Sequence, residues 1–320
     1  MSCRFGLCLL ALAALCAVPA AAADGPGPYA LQGGDGVLSA DGSLRYLAFG
    51  AGDHTAVETV ETSSGRVRTF GDLIGSWGIP TLSYTTQGEG LSADGKTLVL
   101  GQTTYGTPSK FLVLDPRTLR LENWVVLRGS FTFDALSPDG SRLYLIQYTR
   151  SKLGDYNHYV VRGYDLNENR LLPGRIADRT QKSWVMQGFP VTRTTSADGR
   201  WVYTLYQNPG GYAFIHALDT VRGVAHCVGL PVAGNAQNAL YNVVLSLHGK
   251  RLAVHWKSGR PWYELDTVTW RVSPAPKGFP WLWLALGVGG ACALCAAAAL
   301  ALRRRRHAPL LDGPSLARAA

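Results

Sequence analysis

No short motif in this sequence marks a catalytic centre. The seven histidines fall singly along the chain, and no GxSxG, HExxH, P-loop or GxGxxG pattern occurs. We therefore predict no catalytic residue, no metal site and no cofactor, and we expect binding in place of catalysis. A hydrolase or lyase site assembled from distant segments stays open as the alternative.

Aromatic and basic residues concentrate in four irregular segments, at residues 103–110, 148–159, 206–214 and 255–263. Tyr, Trp and Arg are enriched where protein surfaces bind partners. We therefore predict a site here for a protein partner or for an anionic or carbohydrate ligand of the cell envelope. Exposed loops of any function have a similar composition, which is the alternative interpretation. The candidate residues are Tyr105, Arg150, Lys152, Tyr156, His158, Tyr206, His255, Trp256, Arg260 and Trp262.

The elements that would position these residues follow from a repeated phrase. LSADGSLRYLAF begins at Leu38, and related phrases recur as LSADGKTLVL, LSPDGSRLYLIQY, TSADGRWVYTLYQ and LSLHGKRLAVHW. A period near 50 residues predicts an array of similar supersecondary units. A second phrase with an acidic residue, such as LDP at Leu114 to Pro116, follows behind each first one. The turn residues of the five phrases are Asp41, Asp94, Asp139, Asp198 and His248.

Each unit is predicted to form four antiparallel strands. In the second unit they are TTQGEGLS, KTLVLGQ, SKFLVLD and LENWVVL. The Asp-Gly turns join the first two strands, because glycine accepts the positive φ of tight hairpins, and a calcium site there is the weaker hypothesis. Second strands such as WVYTLY, after Arg200, are apolar on consecutive residues. This pattern predicts sheets covered on both faces, as in stacked propeller blades.

The phrase LSPDG at Leu136 to Gly140, followed by SRLYLIQY, resembles the bacterial YVTN and TolB-like, WD40-like propeller repeats. The resemblance covers about residues 30 to 273 and implies a β-propeller. Members of such families serve as binding platforms, as envelope assembly factors and occasionally as enzymes, so the resemblance specifies architecture more than function. Two positions depart from the pattern, since Glu61 and His248 stand where aspartate is usual.

Counting the units predicts an all-β propeller of about five four-stranded blades, with six or seven as alternatives. The segment PYALQ, near residue 30, is expected to add an outer strand to the last blade and close the ring, because an open ring would expose sheet edges. In a four-stranded blade, the loops between second and third strands lie on the same face as the connections between blades. We expect the binding residues on that face.

A second candidate site lies nearer the central channel. Aligning the inner strands places Glu89, Asp134 and Arg193 at equivalent positions of three adjacent blades. These residues are predicted to form either a charged site for a cation or a sugar, or an ion pair between blades in which Arg193 compensates the two carboxylates. The ion pair is the favoured interpretation, because uncompensated buried carboxylates are costly.

The two ends of the chain predict export and membrane attachment. Residues 1–23 have the basic start, apolar run and small residues of a signal peptide. Residues 281–302 contain no charge and are long enough to span a bilayer as one transmembrane helix. Residues 24–275 are then the extracytoplasmic propeller, 276–280 a juxtamembrane linker, and 303–320 a basic cytoplasmic tail, as Arg303 to Arg306 require by the positive-inside rule.

Charge and cysteine usage agree with this topology. The formal net charge is +9, but much of the excess lies in the tail arginines, so a nucleic-acid partner is not expected. Cys227 is the one cysteine of the predicted exported part, which excludes an internal disulfide there, and it is expected to be a buried strand residue. The sequence thus predicts a single-pass membrane protein of the cell membrane, bacterial by its repeats, that binds a protein partner or an envelope ligand outside the cell and contacts lipid through 281–302.

Overall fold

The chain is all-β and forms five antiparallel four-stranded sheets in the arrangement of a β-propeller. The structure is a computed structural model, and it describes residues 30–82, 88–104, 106–149, 158–180, 186–208 and 210–275. Within these ranges no helix is both long and apolar enough to cross a membrane. The predicted signal peptide, linker, transmembrane helix and tail all lie outside the described residues.

The first two blades each contain four strands, and a fifth strand pairs with blade 2. Blade 1 consists of β2 (Val37–Leu38), β3 (Leu44–Ala51), β4 (His54–Glu61) and β5 (Val67–Ile74). Blade 2 consists of β6 (Trp77–Pro80), β7 (Leu98–Gln102), β8 (Ser109–Leu114) and β9 (Leu121–Leu127), and β1 (Ala30–Leu31) pairs with β6.

The other three blades repeat the pattern. Blade 3 consists of β10 (Ser130–Leu136), β11 (Arg142–Thr149), β12 (His158–Asp165) and β13 (Arg170–Leu171), with β14 (Met186–Gln187) also paired to β12. Blade 4 consists of β15 (Phe189–Thr195), β16 (Trp201–Gln207), β17 (Tyr212–Asp219) and β18 (Val224–Ala233). A 3₁₀ helix (Gly234–Asn242) leads to blade 5, which consists of β19 (Val243–His248), β20 (Arg251–Trp256), β21 (Pro261–Asp266) and β22 (Val272–Pro274).

Buried apolar residues connect the blades in one arc. Each of four clusters combines residues of consecutive blades, from blade 1 with blade 2 to blade 4 with blade 5. The predicted cover on both faces is therefore found for blades 2, 3 and 4. The far face of blade 1 is open, because Leu38 and Phe70 there are 47% and 59% exposed.

The predicted closure of the ring by the N-terminal segment is wrong. Ala30 pairs with Pro80 and Leu31 with Ile79, at the inner edge of blade 2 and not at the outer edge of blade 5. The reason is steric: a Cβ on Gly78 would lie 2.7 Å from the carbonyl carbon of Leu31, so only glycine allows this strand to approach. Blade 5 completes its own four strands with the short β22.

The first strand of blade 2 also differs from the prediction. The strand β6 pairs with β7 where the predicted strand TTQGEGLS was expected. The described part of TTQGEGLS forms only isolated bridges, including one between Leu91 and Leu98. The chain leaves the sheet after Pro80 and returns where the Glu89 amide donates to the Pro80 carbonyl at 2.7 Å. Gly90, with φ +97, turns the chain back into the blade. Glu89 therefore lies directly beside the end of β6.

The Asp-Gly turns hold their aspartates in local hydrogen bonds. In blade 1 the Asp41 carboxylate accepts from the Ser39 hydroxyl at 2.6 Å and from the Ser43 amide at 3.1 Å. These bonds, led by the one from Ser39, lower the pKa of Asp41 to about 2. Blade 5 lacks the aspartate, and His248 instead pairs directly with Arg251 across a two-residue turn.

The two turns of each blade lie at one end of the propeller, which we call the turn face. In blade 4 the Thr220 hydroxyl, after the second acidic residue, donates to the carbonyl oxygens of Gly199 and Arg200 in the Asp-Gly turn, at 2.9 Å and 2.8 Å. The opposite end carries the loops between second and third strands and is called the loop face. The predicted division of the two faces is thus confirmed.

Candidate functional site

The hairpin between β20 and β21 brings four of the predicted residues together on the loop face. The turn closes through the Trp256 amide, which donates to the Arg260 carbonyl at 2.9 Å. The Lys257 amide donates to the Asn242 carbonyl at 2.8 Å, which ties this turn to the end of the 3₁₀ helix. The Ser246 hydroxyl lies 3.0 Å from the His255 Nε2 and holds the imidazole in place.

Side chains of this hairpin form a continuous stack, which we call the aromatic hairpin. The Arg260 guanidinium lies 4.9 Å from the centroid of the Trp256 ring. The Trp256 and Trp262 rings are 5.0 Å apart, and Tyr263 continues the stack at 5.1 Å from Trp262. The three rings are half-buried and Arg260 is exposed. Such an arrangement offers an aromatic surface with one positive charge, which suits apolar and acidic groups of a ligand.

The remaining predicted loop residues are placed differently. Tyr206 is fully buried, because its ring stacks between Tyr159 at 5.4 Å and Phe214 at 5.1 Å inside the interface of blades 3 and 4. His158 begins β12 on the loop face and is half-buried. Four further candidates lie outside the described residues, namely Tyr105, Arg150, Lys152 and Tyr156. Tyr263 was not among the candidates, although its position beside Trp262 on the same hairpin could have indicated it.

Two of the predicted channel residues, Asp134 and Arg193, form a buried pair between blades 3 and 4. The Arg193 Nη2 lies 2.5 Å from Asp134 Oδ1, its Nη1 donates to the Asp134 carbonyl oxygen, and its Nε donates to the Thr204 hydroxyl at 2.9 Å. The side chains of Arg193 and Asp134 are only 3% and 1% exposed. Arg193 therefore pairs with one carboxylate of the neighbouring blade, and Glu89 lies outside ion-pair distance of it.

Charges act on one another across this group. Burial raises the pKa of Glu89, the Arg193 guanidinium partly opposes that rise, and the Asp134 carboxylate adds to it. Burial lowers the pKa of Arg193, but the charges of Asp134 and Glu89 more than offset this and leave that pKa raised. One cation thus faces two carboxylates, so the group is neutral when Glu89 is protonated or when a bound cation compensates it.

A pocket of about 310 Å³ at the turn face reaches Glu89, while Asp134 and Arg193 do not line it. Its wall is formed by inner strands and turns of blades 1 to 4, including Leu38, Glu89, Phe133 and Thr194. Glu89 is the one ionisable side chain among the residues that line it. This pocket was not predicted, since its wall combines small residues of four blades.

A buried polar row crosses the interface between blades 3 and 4. His216 is 1% exposed, and burial lowers its pKa to about 4, so its imidazole is neutral. Burial, followed by the charge of Asp178, raises the pKa of Cys227 to about 12, so its thiol stays protonated. Neither residue is therefore a ready nucleophile or base. Among the described residues, no group of three or more His, Cys, Asp or Glu side chains is arranged to hold a metal ion.

Solved structures with similar folds show low sequence identity to this chain. Hydrazine synthase from Kuenenia stuttgartiensis is 15% identical, with a TM-score of 0.46 over 72% of this chain and 63% of its own. TolB from Acinetobacter baumannii is 15% identical, with a TM-score of 0.39 over 76% of this chain and 54% of its own. The β-propeller domain of Cps50 (Swd1) from Myceliophteria thermophila is 10% identical, with a TM-score of 0.42 over 71% and 65%.

This chain thus spans between about half and two thirds of the length of those three structures. No protein-family model matches the sequence, and no curated protein matches it. The class of this protein, a β-propeller, therefore rests on its own five sheets.

Proposed function

We propose that this chain is a binding propeller on the outer side of a cell membrane, exported by residues 1–23 and held there by residues 281–302. Its aromatic hairpin engages a protein partner, or alternatively an envelope ligand. The observation that carries this proposal is the continuous stack of Arg260 on Trp256, Trp262 and Tyr263 on the loop face.

The physical argument rests on preorganisation. The rings hold one another in place and the turn is tied to the 3₁₀ helix, so little conformational entropy is lost when a partner covers them. Half-buried tryptophans beside an arginine supply the residue types that dominate interface energies. A complementary surface would present apolar groups to the rings and a carboxylate to Arg260.

Site-specific photo-crosslinking in the native envelope tests this proposal. A photoreactive phenylalanine analogue replaces the exposed Lys257 of the hairpin, or the exposed Lys250 on the turn face of the same blade as the matched control. We expect one discrete adduct from position 257 and none of that mass from position 250. Arg260→Glu should abolish this adduct, while an exposed substitution alters stability by no more than about 0.5 kcal/mol. Equal adducts from both positions would refute the proposal.

A second candidate function is supported by the channel pocket. We propose that it binds a small cationic or hydroxylated ligand against Glu89, and an enzyme acting on an envelope polymer or small substrate would use Glu89 as its acid. The supporting observation is a carboxyl group of raised pKa on the wall of a 310 Å³ pocket.

Ligand-induced stabilisation of the full-length protein distinguishes this second function. A ligand at ~100 times its Kd adds about 2.7 kcal/mol to folded-state stability. We expect a sugar or amine that raises the Tm of the wild type to have no effect on Glu89→Gln, and to act normally on Glu122→Gln, which removes an exposed carboxylate of β9. A shift that survives Glu89→Gln would place the ligand elsewhere.

A further inference from the structure

Cross-strand pairing aligns four polar side chains on one face of blade 4. Arg193 pairs with Thr204, Thr204 with His216, and His216 with Cys227. Directly paired residues share a face of the sheet. This face packs on blade 3, where Cys227 borders the apolar cluster of that interface. The imidazole of His216 and the thiol of Cys227 therefore lie in an apolar environment.

His216 lacks an ordinary hydrogen-bond partner there. It is 1% exposed, its Nε2 has no partner among the described residues, and its Nδ1 faces the Cys227 Sγ at 3.5 Å. Buried polar groups in folded proteins nearly always have partners, so an imidazole facing only sulfur requires an explanation. A ligand held between Nδ1 and Sγ would account for the close approach of these two atoms, whereas Nε2, on the opposite edge of the ring, stays without a partner among the described residues.

A third donor comes from the neighbouring blade. Met186, in β14, is 9% exposed, and its Sδ lies 3.8 Å from the Cys227 Sγ. Met186 reaches this point because β14 pairs with β12 at Tyr159, beside the same interface. One thioether, one thiol and one imidazole thus converge from three different strands.

The two separations from the Cys227 Sγ match those of ligands around one metal ion. With metal bonds of about 2.1 Å to nitrogen and about 2.3 Å to sulfur, separations of 3.5 Å and 3.8 Å correspond to bond angles of roughly 105° and 110° at the metal. These angles lie close to the tetrahedral value. Small movements of the side chains would therefore suffice for coordination.

We propose that Cys227, His216 and Met186 form a binding site for a soft monovalent cation, Cu(I), between blades 3 and 4. Thiolate and thioether ligands select Cu(I) over harder ions. On binding, the Cys227 S–H bond breaks, its proton leaves to solvent and an S–Cu bond forms, with no change of oxidation state. Thiolate and Cu(I) together are neutral, which suits an apolar interface better than a divalent ion would.

The surroundings support a site of this size and charge. Asp178 accepts the Cys227 amide at 2.8 Å and the Thr180 amide at 2.9 Å, so its carboxylate fixes the backbone and is not a free fourth ligand. A pocket of about 170 Å³ is lined by Asp178, Ala225 and His226. Asp178 accepts a hydrogen bond from the Cys227 amide, and the other two residues precede Cys227 in the sequence. Cys227 itself does not line this pocket.

Methionine-methyl NMR provides a direct test, because the chain contains only two methionines, Met1 and Met186. The full-length protein, labelled with ¹³C at the methionine methyl groups, is titrated in detergent with Ag(I), a redox-inert probe for Cu(I). We expect the Met186 signal to shift and to saturate at one equivalent per Cys227. An unchanged Met186 signal would overturn the proposal and leave an ordinary S–H···N hydrogen bond.

Variants separate this site from the other cysteines of the chain. Competition with a chromophoric Cu(I) chelator, without oxygen, measures the affinity of each variant. Met186→Leu keeps the volume of the side chain and removes only its sulfur, so we expect a normal fold and an affinity at least about tenfold weaker. Cys227→Ser should remove the site. Equal affinities of the wild type, Met186→Leu and Cys227→Ser would also overturn the proposal.

Discussion

Removing the charge of Arg193 provides the sharpest test of the channel structure. Arg193→Met keeps the aliphatic length of the side chain but leaves the Asp134 carboxylate buried without its cation. Asp134 Oδ2 already has no hydrogen-bond partner among the described residues, and the substitution removes the partner of Oδ1 as well. Breaking a buried pair in this way costs about 3–5 kcal/mol. For a domain of this size, that loss corresponds to a fall in Tm of roughly 6–20 °C.

Thermal and denaturant unfolding of the full-length protein, followed by near-UV circular dichroism, measures this loss. The matched control is Arg170→Met, because Arg170 forms an ion pair with Glu168 in which both side chains are 56% exposed. Exposed pairs are worth about 0–1 kcal/mol, so this variant should unfold close to the wild type. The double variant Asp134→Asn with Arg193→Met removes both charges and should regain much of the stability lost in Arg193→Met.

Two outcomes would refute this reasoning. A loss for Arg193→Met no larger than that for Arg170→Met would mean that Asp134 is solvated or neutral in the folded protein. A double variant less stable than Arg193→Met would mean that the hydrogen bonds of these side chains, and not the balance of charge, hold blades 3 and 4 together.

Three further predictions concern the channel and the turns. The pKa of Glu89 is higher in the folded protein than in the unfolded chain. Its contribution to stability is therefore fully present below the unfolded-state pKa and is lost as pH rises through the folded-state pKa. In denaturant titrations, Glu89→Gln should match the wild type near pH 4 and become more stable than the wild type toward pH 7. Gly42→Ala should lower the free energy of unfolding by about 1–2 kcal/mol, because alanine is strained at the positive φ of this position. Gly199→Ala should lower it by more, because the added Cβ would also lie 2.6 Å from the Ala93 side chain. Equal losses in Tm for the two variants would contradict this. Thr220→Val should cost about 1–3 kcal/mol in urea unfolding, because it leaves two carbonyl oxygens of the turn without that donor.

The channel group explains why the two carboxylates differ. Asp134 makes its ion pair in the interior, whereas Glu89 faces a pocket. A ligand or a proton at Glu89 is therefore coupled electrostatically to the Arg193 pair, which joins two blades. Binding in the pocket and stability of the interface should accordingly respond to each other, and Arg193→Met should raise the pKa of Glu89 further, since it removes the one positive charge that opposes that rise.

The repeat in the sequence was sufficient to predict the blades, because each blade depends on local chemistry. Asp41 and the serines beside it form their turn from residues two positions away, and such contacts follow from the order of the chain. The strands SKFLVLD and LENWVVL of blade 2 were predicted to within one residue, since apolar runs between turn residues define them. The pairing of Arg193 with Asp134 was part of the ion-pair interpretation, because equivalent positions of a repeat face the same axis.

Only the tertiary structure decided which residues from different blades meet. In the folded protein β1 pairs with blade 2, where Gly78 leaves space for it, and Tyr206 lies in the interior. Arg193 forms its ion pair with Asp134 and not with Glu89. It also brought Met186 from blade 3 to Cys227 of blade 4. These contacts depend on the register of pairing and on the packing between blades. A repeat defines neither, because its period describes each blade separately.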